Sequence, residues 1–154
     1  MVREAAATCL LHSPSVRLRV LGSSGTYPTP GGPCSGYLVE AGATRVMLDA
    51  GPGTVAALQQ ALPGLDIDGL VITHAHPDHC SDVFHLFNLL RFGPVPRQGL
   101  AAFAPDEVAE ALAGFLGAEE GHPFHRVFEW HRVADGEAAS IGGLTLRFAA
   151  TSHQ

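Results

Sequence analysis

The stretch Thr73-His74-Ala75-His76-Pro77-Asp78-His79 constrains this chain more than any other. Four side chains able to ligate a metal fall within six residues, directly after the apolar run Leu70-Val71-Ile72. Such a short apolar run reads as a buried strand rather than a helix. His74 and His76 are two apart, so extended backbone points both to the same side. His76 precedes a proline, which keeps the backbone extended there, and Pro77 suits the first position of a helix. Asp78 and His79 then fall in the first helical turn, where the positive end of the helix favours a carboxylate. The spacing puts one pair of ligands at a strand exit and another at a helix entry, and two neighbouring metal ions could share such a loop. A His-rich surface loop with fortuitous spacing is the plainer alternative.

The rest of the chain supplies an alternation of strands and helices around that loop. Val16-Arg17-Leu18-Arg19-Val20-Leu21 alternates apolar and charged residues and predicts a half-buried first strand. Tyr37 to Glu40 and Arg45 to Asp49 predict a hairpin turning at Ala41-Gly42-Ala43, and Asp49-Ala50-Gly51-Pro52-Gly53-Thr54 opens a helix through Leu62. After the His/Asp loop, Val83, Phe84, Phe87 and Leu90 recur at helical spacing, so Ser81 to Arg91 predicts an amphipathic helix. His85 within it reads as structural or exposed. Leu100 to Ala104 reads as a strand, Pro105 to about Gly117 as a helix, and Glu119 to His125 as polar loop. Val127 to Val133 and Leu144 to Ala149 read as the last strands. His122, His125 and His131 lack ligand spacing.

At 154 residues the chain has one domain's length, and 46% hydrophobic residues argue against disorder. The net charge of −6 lacks the basic footprint of a general nucleic-acid binder. Cys9, Cys34 and Cys80 are odd in number and irregularly spaced, which predicts reduced thiols in a cytoplasmic protein. Cys80 reads as a small buried filler beside His79. No stretch approaches the ~20 apolar residues of a membrane span. Residues 1–15 carry no proper signal architecture and are expected to form a loose tail before a domain over residues 16–154.

The segment THAHPDH resembles the H-x-H-x-D-H motif of the metallo-β-lactamase fold hydrolases. Leu21 to Pro28, LGSSGTYP, resembles the first strand and loop of their ribonuclease Z-like branch, although a simple glycine turn is equally compatible with it. The resemblance implies an α/β (α+β) fold with a mixed sheet, the first β/α half of a four-layer αββα sandwich. It implies that His74, His76 and His153 hold one ion, while Asp78 and His79 contribute to another. His153 lies 74 positions beyond His79, at the end of the last strand; a frayed terminal histidine is the alternative. Asp49 would support the metal histidines from behind by accepting an imidazole N–H, or would be a cap or turn aspartate. The donor set suits Zn²⁺, one or two ions, with Mn²⁺ or Fe²⁺ as alternatives.

The function so implied is metal-assisted hydrolysis, with Asp78 as the catalytic carboxylate that orients the attacking water or takes its proton. Phosphodiesters are the expected substrates, either an RNA 3′ end or a cyclic nucleotide. Other branches hydrolyse thioesters, lactams or lactones with the same loop. The second half of the family sandwich, with its own aspartate and histidine ligands, has no counterpart in this sequence. The chain is therefore expected to be a fragment missing its C-terminal half, or to pair with a second copy as a homodimer. A non-catalytic metal-binding or dimerising half-domain is the competing reading.

Overall fold

The computed structural model describes residues 15–151. The expected tail to residue 14 and His153 lie outside the described residues.

Six strands form one mixed sheet in sequence order: β1 (Val16–Gly22), β2 (Gly36–Ala41), β3 (Thr44–Leu48), β4 (Gly69–Val71), β5 (Leu100–Ala104) and β6 (Phe128–Arg132). The first three are antiparallel. The hairpin of β2 and β3 turns through Gly42 at φ 59°, a left-handed conformation that glycine adopts without steric cost. From β3 onward the pairs are parallel, so each connection must cross over the sheet. These crossovers carry α1 (Thr54–Ala61) between β3 and β4, α2 (Pro77–Cys80) and α3 (Val83–Phe92) between β4 and β5, and α4 (Asp106–Phe115) and α5 (Phe124–Val127) between β5 and β6. A separate hairpin, β7 (Ala138–Ile141) with β8 (Leu144–Arg147), completes the described chain.

Alternating strand residues serve two cores. Leu38, Met47, Leu70, Ile72, Leu100 and Ala102 meet the helices, including Leu58 of α1, Leu86 of α3 and Val108 of α4. Val46, Val71 and Phe103 face the other way and are covered by Ile141 and Leu144 of the β7–β8 hairpin. All three residues of β4 are buried, as expected of a parallel strand covered on both faces. In α3 the buried positions are Val83, Leu86, Phe87 and Leu90, one apolar stripe at helical spacing. Phe84 stacks instead on Phe115 of α4, with centroids 4.6 Å apart.

Three sequence expectations need correction. The first strand forms, but its apolar face is not buried: Val16, Leu18 and Val20 are 64%, 59% and 57% exposed. They share the face of Ala41, Val39 and Tyr37 through the β1–β2 register. The helices lie on the opposite face, and among the described residues the β7–β8 hairpin covers only the middle of this one. The segment read as polar loop ends in α5, where Phe124 and Val127 are buried. Strand β7 was not anticipated; its sequence AASI carries one strongly apolar residue, Ile141, which packs against the backbone of Gly69. No helix among the described residues is long and apolar enough to cross a membrane.

Candidate metal centre

The His/Asp loop leaves β4 at its C-terminal end. His76 takes an extended conformation, φ −66° and ψ 138°, and Pro77 opens α2 with Asp78 in its first turn. This is the geometry that a pre-proline residue and an N-terminal proline dictate. The loop is stitched to its neighbours by backbone hydrogen bonds. The Ser35 amide donates to the Asp78 carbonyl, Ala50 donates to the His79 carbonyl, and Asp82 donates to the Ala50 carbonyl. Gly51 makes this approach possible: a β-carbon there would lie 1.9 Å from the Asp78 carbonyl oxygen and 2.7 Å from Cys34 Cβ.

His74, His76 and His79 come together above this turn. Ring centroids are 4.7 Å apart for His74 and His76 and 4.1 Å for His74 and His79. Asp78 adds its carboxylate, Oδ2 lying 3.7 Å from His79 Nε2. Asp49, 3% exposed, organises the group from beneath. Its Oδ2 accepts from His79 Nδ1 at 2.8 Å, and its Oδ1 accepts from the Thr73 amide at 2.8 Å. The Thr73 hydroxyl lies 3.0 Å from both carboxylate oxygens and 2.9 Å from His74 Nδ1. A hydroxyl has one proton to give. With a carboxylate as its acceptor, Thr73 Oγ1 must accept from His74 Nδ1. One aspartate thereby sets two tautomers, His79 directly and His74 through Thr73, and leaves Nε2 of each ring with the lone pair.

Two residues at this site hold left-handed backbone without being glycine: Thr26 at φ 65° and Asp49 at φ 57°. Such conformations cost ~1–3 kcal/mol each and persist where the surroundings enforce them. At both positions the residue serves the loop. The Thr26 amide donates to Asp78 Oδ2 at 2.8 Å. That hydrogen bond holds the Asp78 carboxyl below the usual carboxylate range; burial opposes it, and His79 and His74 add attraction. Thr26 was missed at the sequence level because a backbone donor has no residue signature. Cys80 is buried, donates its thiol to the Ala75 carbonyl, and has its pKa pushed up to about 11 by burial, with Asp49 and Asp78 adding to the effect. It is a neutral filler at neutral pH. His85 is turned outward with its side chain 73% exposed and pairs with Asp82 at 3.0 Å. His131 stacks on Phe103 at 4.8 Å, within β6.

The donor set fits a divalent ion chemically: three imidazoles beside a carboxylate. The side chains stand close but not gathered on a point, since no three His, Cys, Asp or Glu donors among the described residues are placed to hold an ion together. Rings 4.1 to 4.7 Å apart are within reach of one another by side-chain rotation.

A mixed sheet with crossover helices, carrying a histidine–carboxylate loop at the C-terminal end of a parallel strand, defines an α/β fold of the metal-binding kind. The chain belongs to the metallo-β-lactamase superfamily, whose family profile it matches over residues 29–152. That fold binds metal ions. An uncharacterized protein from Mycobacterium tuberculosis is 33% identical over 136 residues, covering 86% of this chain and 50% of its own length. Ribonuclease Z from Archaeoglobus fulgidus is 30% identical over 139 residues, covering 89% of this chain and 44% of its own. Among solved structures, the metallo-β-lactamase fold protein YhfI from Bacillus subtilis superposes with a TM-score of 0.73 at 20% identity, over 90% of this chain and 54% of that one. The chain thus spans about half the length of the curated relatives it matches.

Proposed function

We propose that this chain is the metal-binding half of a metal-dependent hydrolase of phosphodiesters, an RNA 3′ end or a cyclic nucleotide. The observation that carries this reading is the Asp49–Thr73–His74 and Asp49–His79 hydrogen-bond system, which orients two imidazoles outward beside Asp78. Similarity to a ribonuclease Z supports the choice of substrate class. His74 and His76, with His153, would hold one ion; Asp78 and His79 would hold part of a second. When bound, such ions polarise a phosphoryl oxygen and lower the pKa of water towards neutrality. Zn²⁺ suits the ligands, with Mn²⁺ or Fe²⁺ as alternatives.

The chain's own residues do the remaining work. Asp49 keeps the His79 ring in register and in one tautomer, and Thr73 does the same for His74. The Thr26 amide pins one oxygen of Asp78, which fixes the direction of the other. The Asp78 carboxylate stays ionised at neutral pH, so it can orient a water and accept its proton.

The test loads the protein with Zn²⁺ or Mn²⁺ and assays bis(p-nitrophenyl) phosphate and 3′,5′-cyclic AMP. Turnover should be lost in Asp78→Ala while far-ultraviolet circular dichroism is unchanged. Cleavage of a thioester, lactam or lactone with neither phosphodiester touched overturns the substrate assignment. The competing reading is a non-catalytic metal-binding half-domain that pairs with another chain. About one ion per chain and no turnover would support that reading instead.

A further inference from the structure

A cavity of about 510 Å³ opens at the edge of the sheet opposite the metal loop, and three arginines line it: Arg91, Arg97 and Arg126. The topology fixes its position. Arg97 lies just before β5, and Arg126 lies at the end of α5 just before β6, so both stand at the N-terminal ends of parallel strands. Arg91 is in the last turn of α3, which begins beside the metal loop and runs back across the sheet. The His/Asp loop sits at the C-terminal end of β4. A strand the length of β5 separates the two edges by about 16 Å.

The cluster is unusual in its charge. The chain carries 15 acidic and 9 basic residues, yet among the described residues no carboxylate lies within 4.0 Å of any of these three guanidinium groups. The acidic residue nearest in sequence, Glu129, faces His131 at 3.7 Å, and Asp66 and Asp68, which flank Ile67, are turned to Arg45. Each arginine is anchored by the protein. Arg97 Nη1 donates to the Ile67 carbonyl and Arg126 Nη1 to the Gly121 carbonyl at 2.8 Å. Arg91 lies over the rings of Phe92, at 4.7 Å, and Phe87, at 5.9 Å. A guanidinium carries five N–H donors, so at most one anchoring bond leaves each arginine a fork of donors to spare. Three such forks on one cavity match the oxygen-rich, multiply charged outline of a phosphate or diphosphate. Phe92 is 69% exposed at the rim, where its ring offers a platform for a flat base.

We propose that this cavity binds a nucleoside phosphate, its phosphates held by Arg91, Arg97 and Arg126 and its base against Phe92. The inference does not rest on the metal loop. It is tested by calorimetric titration of the intact chain with ADP, inorganic pyrophosphate and adenosine, in EDTA at low salt so that no metal-held phosphate contributes. ADP and pyrophosphate should bind, ADP more tightly, and adenosine should not. Arg91→Gln/Arg126→Gln should weaken ADP by about tenfold or more with an unchanged melting temperature. Arg91→Gln alone, which touches no backbone carbonyl, should weaken ADP in the same direction and guards against misfolding of the double variant. Phe92→Ala should erase the advantage of ADP over pyrophosphate. Absence of ADP binding to the wild-type chain, or equal binding by the arginine variants, would overturn the site. Equal binding of ADP and pyrophosphate with Phe92→Ala silent would overturn its nucleoside half.

Discussion

Asp49 is the residue through which the candidate site holds its shape. A buried carboxylate with left-handed backbone accepts from His79, from the Thr73 hydroxyl and from the Thr73 amide. Replacing it by Asn keeps the size but offers an N–H₂ group where an acceptor is needed. Asp49→Asn should therefore lower Zn²⁺ affinity by ~10–100-fold with the fold retained, measured by competition with a chromophoric chelator. Unchanged affinity would mean that the two tautomers are set by something else. His85→Ala serves as the control: its ring is solvent-exposed and pairs with Asp82, away from the metal loop's imidazoles, so metal content should not change.

At the scale of elements, the helix α1 beside the site is built with a borrowed cap. Helix α1 begins at Gly53, which has no side chain to cap it and sits at φ 89°. The missing acceptor comes from Asp82 at the start of α3: its Oδ2 accepts from the Val55 amide at 2.9 Å, in a buried position. One carboxylate thus caps a helix from a different segment and opposes the positive end of that helix's dipole. Asp82→Ala leaves the Val55 amide buried without an acceptor and should cost about 1–3 kcal/mol of stability, read from the denaturant midpoint. Because α1 and the metal loop meet through Ala50 and Gly51, the same variant should also loosen the loop, seen as faster amide exchange at Cys80 and Asp82.

For the molecule as a whole, the sheet has one face closed by helices and the other closed, among the described residues, only where the β7–β8 hairpin lies. The open part carries Val16, Leu18 and Val20, each more than half exposed. Contiguous apolar surface of this kind drives association in water. The chain by itself should self-associate with rising concentration, and Leu18→Thr/Val20→Thr should shift sedimentation towards the monomer without lowering the melting temperature. An unchanged distribution would show that this face does not mediate association.

Much of this was legible in the residues. Pro77 after a short apolar run forces a strand-to-helix turn, and that turn brings the four ligand-type side chains around it near one another. Leu100 to Ala104 and the stripe Val83–Phe87–Leu90 follow from local periodicity, since burial on one or both faces leaves its period in the sequence. What the sequence could not reveal depends on which segments end up side by side. Alternation in β1 marks an apolar face but not whether anything covers it. Asp82 looks like an ordinary helix-start residue until α1 arrives beside it. Thr26 contributes an amide proton, which every residue but proline owns. The three arginines come from two segments that only parallel strand pairing brings to one edge. Local chemistry settles how each segment folds; the meeting of distant donors and acceptors is decided by packing, because hydrogen bonds and ion pairs act over a few ångströms and the chain must first bring their partners that close.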